Sequence, residues 1–525
     1  MSIVSFILSV FISLNIQAIA QGGDIFTANI VNNQGYVVGQ KSFHDFSVCG
    51  ELLGPQYIVE ELAVPTPYMM VNCSTRLAPK GKVEWPGSEV RTIVHQGPSS
   101  NRIDLVIVGD GYTEVEKQKF FDDAEKITQD LFGNDTFATY LPLFNVFAVF
   151  VPSVESGIGD GRPKDTALKL YRNAVVRQAI MPGDSYTAQK ASELAPDVDY
   201  PILLANDPYY GGLGGQFAIT TSSPLNLTTV LRHELGHNFG RVGEEYDGGG
   251  VYRGANFSSS KALGQWAHWL KENDRHIQSP LLISYSAPWK ELVKGPLEQS
   301  FYVKGSGSFR VMFDFSSIGF ETKEDVRMLV DDQTVTYDGK FNYDRNFYNV
   351  EGRLSSGKHT VSFVSTGKDD NNILSKLAIY QLPEDYIWGD QQVGGFLTYN
   401  QYGEAVGYRP TERTCLMKDM SSHRFCPICI ENMWRNFLKE VSLIDSLSEK
   451  NGFVEVKTIP LKGKLRLAWA DPDGKRVPEL DDQVRWSTEG RKKGKWTAYV
   501  AFVSPEVRDP RQQEWSIHKG SLEVQ

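Results

Sequence analysis

The spacing of apolar positions changes several times along the chain, and each change marks a module. Residues 22–95 carry alternating and β-branched runs (FTANIV, YVVG, YIVEEL) broken by Gly and Pro, which predicts a small β-rich N-terminal domain. Gln96 to Ser100 reads as a linker. From residue 101 the pattern shifts. RIDLVIVGDGY (102–112), FNVFAVFVPS (144–153) and YPILLAND (200–207) read as buried strands, and GQFAITT (215–221) as a short alternating one. Residues 114–132 have helical spacing, and 165–180 and 186–194 are further helix candidates. In 222–240, Leu227, Val230, Leu231 and Leu235 form an apolar stripe, with Ser223 as N-cap, Pro224 at the first turn and Gly240 as the stop. Strands alternating with helices predict an α/β (α+β) domain over 101–440. Short β runs between polar turns interrupt it at 283–386, an all-β insert of sandwich type. Residues 445–525 predict a C-terminal β-sandwich-like domain.

The amino terminus adds a compartment. Residues 2–14 are nearly all apolar or small, and Ala18-Ile19-Ala20 precedes Gln21, the form of a secretory signal peptide over 1–20. The apolar core is about 13 residues, short of the roughly 20 needed to span a bilayer, so no membrane span is expected. The expected localisation is secreted. Five cysteines then read as disulfide candidates: Cys49 with Cys73, and Cys415 with Cys426 or Cys429. Cys426 and Cys429 form a Cys-x-x-Cys. With Cys415 and His423 they compose an alternative, a structural zinc set of three Cys and one His. Asn72, Asn134, Asn226 and Asn256 begin Asn-x-Ser/Thr glycosylation sequences. With 54 Lys and Arg against 64 Asp and Glu, the net charge is −10, and there is no basic run. That charge balance excludes nucleic acid as the expected partner.

The candidate chemistry is concentrated in His233-Glu234-Leu235-Gly236-His237, inside the predicted helix. Two His at i and i+4 share one helical face, so both imidazoles can grip one ion. Glu234 falls beside the open coordination position, where a carboxylate can take a proton from water. A third protein ligand is needed. Gly240 allows a sharp turn, and Glu244 and Glu245 follow, with Glu244 favoured and Asp247 an outsider. The expected cofactor is one catalytic Zn2+.

The run HELGHNFGRVGEEYDGG resembles the IgA-peptidase family of zinc metallopeptidases, an igalysin-type metzincin group. DLVIVGDGYT (104–113), FNVFAVFVPSVESG (144–157) and LLANDPYYGGLGG (203–215) resemble its core blocks, and WAHWL (266–270), GYRPTERTCLMKD (407–419) and FCPICIENM (425–433) its closing blocks. The family's acidic-acidic-Tyr motif usually begins with Asp, whereas here it is Glu244-Glu245-Tyr246. Metzincins place the third ligand six residues after the second His, a position held here by Gly243. The resemblance implies a metzincin-like catalytic domain and a Met-turn at Met417. It also implies a substrate cleft to which Tyr246, Tyr408 and Arg409 contribute. The strand at 215–221 would pair with extended substrate.

Together these features predict a secreted zinc metalloendopeptidase acting on a protein or glycoprotein substrate, with Glu234 as general base. Two other classes fit the same residues: an inactive zinc-binding adhesion or recognition protein, and a zinc amidase acting on a non-protein amide.

Overall fold

The computed structural model describes residues 85–525, apart from 134–135, 175–176, 226, 250–251, 271–275, 367–371, 387–391, 401 and 421. It also describes three strands upstream. These three, Ile25–Val31, Val37–Phe43 and Met70–Arg76, form one antiparallel sheet with the first strand in the middle. The predicted signal peptide and Cys49 lie outside the described residues, as do Asn134 and Asn226, and nothing is described of the side chains of Asn72 and Cys73.

A six-stranded sheet organises the next module. Its order is Gly212–Leu213, Ala218–Thr221, Tyr200–Ala205, Ile103–Asp110, Phe144–Phe150, Glu89–Val94. The four central strands are parallel, and both edge strands are antiparallel. The Glu89–Val94 strand, expected in the N-terminal domain, is therefore an edge of this sheet. Side chains alternate across each strand. Ile103, Leu105 and Ile107 face the helices Lys117–Gly133 and Leu227–Gly240, where Phe120, Phe121, Leu231 and Leu235 are buried. Val106 and Val108 face the other way, onto Leu168, Leu170, Ile180 and Ala188. A parallel sheet covered on both faces explains the near-continuous apolar strands.

Two expected helices differ. The described residues of 165–180 hold no helix, and their one strand there before Ile180 is Tyr171–Arg172. The start of the segment is tied to the sheet because the buried Asp110 carboxylate accepts from Leu168 N at 2.7 Å, Leu170 N at 2.8 Å and Thr166 Oγ1 at 2.9 Å. Two backbone N–H bonds and one hydroxyl bond to a single carboxylate outweigh a weak helical preference, and only Ser185–Ser192 is helical in this region. The His-bearing helix begins at Leu227, because the Ser223 hydroxyl bonds the Asp344 carboxylate of the insert rather than capping the helix.

The 283–386 segment is built on a seven-stranded antiparallel sheet with strands of 22 and 21 residues, Leu297–Ile318 and Arg345–Ser365. The pairing of these two strands breaks between Val303 and Ser308, where Gly305 and Gly307 take φ of 105° and 111°, a region open mainly to glycine. The halves fold onto each other, and Phe301 meets Phe313 with ring centroids 5.7 Å apart. This gives the insert a core of its own.

Residues after 444 form two three-stranded sheets around Trp469, Trp486 and Trp496. Their core is continuous with that of the six-stranded module, joined where Trp434 meets Phe502 at 4.3 Å. Trp434 belongs to the helix Pro427–Glu440, which packs beside the His-bearing helix. Asn436 Nδ2 donates to Phe239 O at 2.8 Å and Asn432 Nδ2 to Gly240 O, satisfying carbonyls left open at the helix end. The whole is a mixed α+β architecture, and among the described residues no helix is long and apolar enough to cross a membrane.

Candidate active site

Helical spacing brings His233 and His237 to one face, with ring centroids 5.0 Å apart. Each ring is oriented by a backbone carbonyl: His233 Nδ1 lies 3.1 Å from Leu416 O, and His237 Nδ1 lies 2.9 Å from Val242 O. A carbonyl can only accept, so Nδ1 carries the proton in each neutral ring and Nε2 presents its lone pair.

The chain then reverses, but not at Gly240. Gly240 ends the helix, and Arg241 takes the left-handed conformation at φ 48°. Gly243, where the metzincin spacing expects a ligand, is fixed by Asn256. Its N–H donates to Asn256 Oδ1 at 3.0 Å, and its carbonyl accepts from Asn256 Nδ2 at 2.8 Å. This clamp carries Glu244 into the site. Glu244 Oε1 is 3.1 Å from His237 Nε2, and Oε2 is 3.2 Å from His233 Nε2. The three ligand atoms lie within 4.8 Å of one another. Donors at about 2.0–2.1 Å from a tetrahedral zinc stand about 3.3 Å apart, so this donor set fits the ion. Glu244 Oε2 is buried without a hydrogen bond of its own, an acceptor that a bound cation would satisfy.

Burial alone would raise the Glu244 pKa, but His237 and His233 override it and bring it to about 2. Burial would lower the His237 pKa, but Glu244 reverses this and lifts it to about 9. Glu234 is raised, chiefly by burial, with the two imidazoles opposing.

Beneath the helix lies Met417, fully buried. A Cβ on Gly236 would sit 2.8 Å from Met417 Sδ and 2.7 Å from Phe425, so only glycine lets this floor approach the helix. Glu245 N donates to Met417 O at 3.0 Å, tying the floor to the acidic loop. Tyr246 stacks on His233 at 6.2 Å.

The site opens into a cavity of about 590 Å³. One wall is the sheet edge. The Ala218–Thr221 strand, expected to meet substrate, is internal to the sheet. The outermost strand is Gly212–Leu213, from the glycine-rich run, and its Gly212 N–H already donates to Gln178 O at 2.9 Å. Beside it a Cβ on Gly214 would come 2.4 Å from Glu234 Oε2, so this backbone lies directly against the carboxylate. The opposite wall is the insert, which contributes Tyr285, Arg345, Phe347 and Lys376.

These insert residues carried no signal in the sequence, because their strands have a generic alternating pattern. Conversely, Tyr408 and Arg409 do not line the cleft. Tyr408 is buried and pairs its backbone with Ser258. Arg409 is buried against Asp247 at 3.3 Å. Asp247, also bound by Tyr380 and Tyr399 N, is held away from the two His.

Glu245 points elsewhere, into a buried group with Cys415, Cys426 and Cys429. All three cysteines are free, and Cys415 Sγ and Cys429 Sγ are 3.8 Å apart, so the disulfide expected there is not formed. His423 is exposed and outside this group. Asn256 is fully buried with both amide atoms engaged, which closes it to glycan attachment in this fold.

Residues 92–274 match the family model described as IgA Peptidase M64. No curated protein matches the chain. Solved structures with partial likeness include an exo-β-1,3-galactanase from Phanerochaete chrysosporium, at 22% identity over 16% of this chain and 21% of that one, TM-score 0.13. The ANX2 ectodomain from Arabidopsis thaliana matches at 11% identity over 18% and 30%, TM-score 0.14. A β-D-glucuronidase from Dictyoglomus thermophilum matches at 8% identity over 44% and 36%, TM-score 0.12. The chain thus spans about a fifth to a third of the length of these structures.

Proposed function

We propose that the chain, whose residues 92–274 match the model of the IgA peptidase M64 family, is a secreted zinc metalloendopeptidase of metzincin type. The observation that carries this reading is the Glu244 carboxylate set between the two Nε2 atoms, with Glu234 beside it on the open cleft. His233, His237 and Glu244 would hold the ion. When bound, zinc supplies a Lewis acid that polarises a peptide carbonyl and lowers the pKa of water.

The protein's own residues do the rest. Leu416 O and Val242 O hold both imidazoles in the tautomer that leaves Nε2 free. Glu234, its pKa raised by burial, accepts a proton from the attacking water and returns it to the leaving amine. An extended peptide would lie along the Leu213–Gly215 backbone that lines the cleft and pair with it. Such pairing reads backbone, so side-chain preference falls to the cavity walls. The substrate is a protein or glycoprotein segment able to lie extended in the cleft.

The test is cleavage of a panel of extracellular proteins by the full chain. Glu234→Gln should lower kcat by roughly 10²–10⁴-fold while one zinc per site is retained, and a chelator should abolish cleavage reversibly. Undiminished turnover by Glu234→Gln would overturn the assignment of the base.

A further inference from the structure

The buried group formed by Glu245 and three cysteines is unused by the chemistry above, and its geometry is specific. Cys415 Sγ and Cys429 Sγ are 3.8 Å apart. Glu245 Oε1 is 3.5 Å from Cys429 Sγ and 3.7 Å from Cys426 Sγ. A tetrahedral zinc with sulfur at about 2.3 Å and oxygen at about 2.0 Å puts its S···S edges near 3.8 Å and its S···O edges near 3.5 Å. The spacing is that of a coordination shell. A disulfide needs sulfurs at about 2.05 Å.

Two further observations point to a cation. Glu245 Oε2 is buried with no hydrogen bond, which is costly for a carboxylate among thiols. Asn256 Nδ2 donates to Glu245 Oε1 at 3.0 Å, orienting the carboxylate as an outer partner does around a metal ligand. Cys426 is the N-cap residue of the Pro427–Glu440 helix, where the helix end favours thiolate.

We propose that Glu245, Cys415, Cys426 and Cys429 form a second, structural zinc site. Four protein ligands close the shell, leaving no open position, and soft thiolates select zinc over calcium or magnesium. On binding, three Sγ–H protons leave to solvent as three S–Zn bonds form. The ion joins three segments: the loop bearing Glu244, the turn bearing Met417, and the helix that packs on the His-bearing helix. It is separate from the site of His233, His237 and Glu244, and it stands whether or not that site hydrolyses peptides.

The experiment uses the full-length protein, purified with zinc and without reductant. Metal analysis should find two zinc ions per chain, and the double variant His233→Ala/His237→Ala should keep one. X-ray absorption of that variant should show three sulfurs at about 2.3 Å and one lighter ligand; in the wild type the average is about 1.5 sulfurs per zinc. Glu245→Gln should weaken retention of this ion against a chromophoric chelator by about tenfold or more. A wild-type spectrum with no sulfur shell would overturn the proposal. So would a Cys415 peptide recovered in disulfide linkage after alkylation without reduction. Loss of cleavage in the double variant with the sulfur-bound zinc retained would bear only on the peptidase site.

Discussion

At the scale of single residues, the site depends on contacts that leave no room for a side chain. Gly236 sits between the two His, and a methyl there would meet Met417 and Phe425 inside 3 Å. Gly236→Ala should therefore cost roughly 1–3 kcal/mol of stability, seen as a lower urea midpoint, and lower zinc affinity as the Met417 floor shifts. A variant with unchanged midpoint and affinity would show that the floor yields freely.

Asp247 makes a pH-dependent contribution. Burial would raise its pKa, but Lys418 and Arg409 bring it from 3.8 down to about 2. A depressed carboxylate stabilises the fold above its unfolded pKa and loses that contribution as pH falls from about 4 to about 2, worth roughly 2 kcal/mol. Asp247→Asn also leaves two buried cations without their partner. The stability gap between wild type and Asp247→Asn, measured by denaturation at several pH values, should be widest above pH 5 and narrow below pH 4. A constant gap would assign the loss to packing alone.

At the scale of elements, the His-bearing helix was legible because its two His recur at i and i+4 and its stripe at helical spacing. Its true start was not, since Ser223 turns to Asp344, 121 residues away in sequence. The 165–180 segment misled for the same reason: Asp110 holds Leu168 and Leu170 out of a helix through long-range bonds that no local window contains. The insert's sheet contributes more than expected of a spacer, because Arg345 and Lys376 line the cleft. Lys376 Nζ pairs with Asp314 Oδ2 at 2.9 Å, and Arg345 reaches Tyr210 at 3.2 Å, so both are held in place from two elements. Arg345→Ala should raise KM for a protein substrate by about tenfold with kcat little changed, the loss of about 1.4 kcal/mol of binding. A fall in kcat at constant KM would instead place Arg345 at the reacting atoms.

At the scale of the whole molecule, two cores predict two unfolding events. The peptidase module and the residues after 444 share one continuous core through Trp434 and Phe502, whereas the insert has a large core of its own and only a smaller cluster, where Met312 and Tyr380 meet Tyr399, shared with its neighbour. Calorimetry should resolve a transition for the insert from one for the joined modules. Phe502→Ala should lower only the latter, by about 3–5 kcal/mol. A single transition displaced as a whole would show that the cleft contacts couple the two cores into one unit.

Short-range chemistry was determined by the sequence itself. The His pair, the neighbouring Glu234, the buried strands and the β-rich insert all follow from periodicities and spacings within a few residues. The tertiary structure decided everything that depended on closure over long separations. It set Glu244 against the imidazoles and sent the adjacent Glu245 to the cysteines. It buried Tyr408, Arg409 and Asn256, and brought the insert over the cleft. Adjacent residues in a loop are locally equivalent, and only the partners that the fold brings to each side, His233 and His237 on one and Asn256, Cys426 and Cys429 on the other, give them different surroundings.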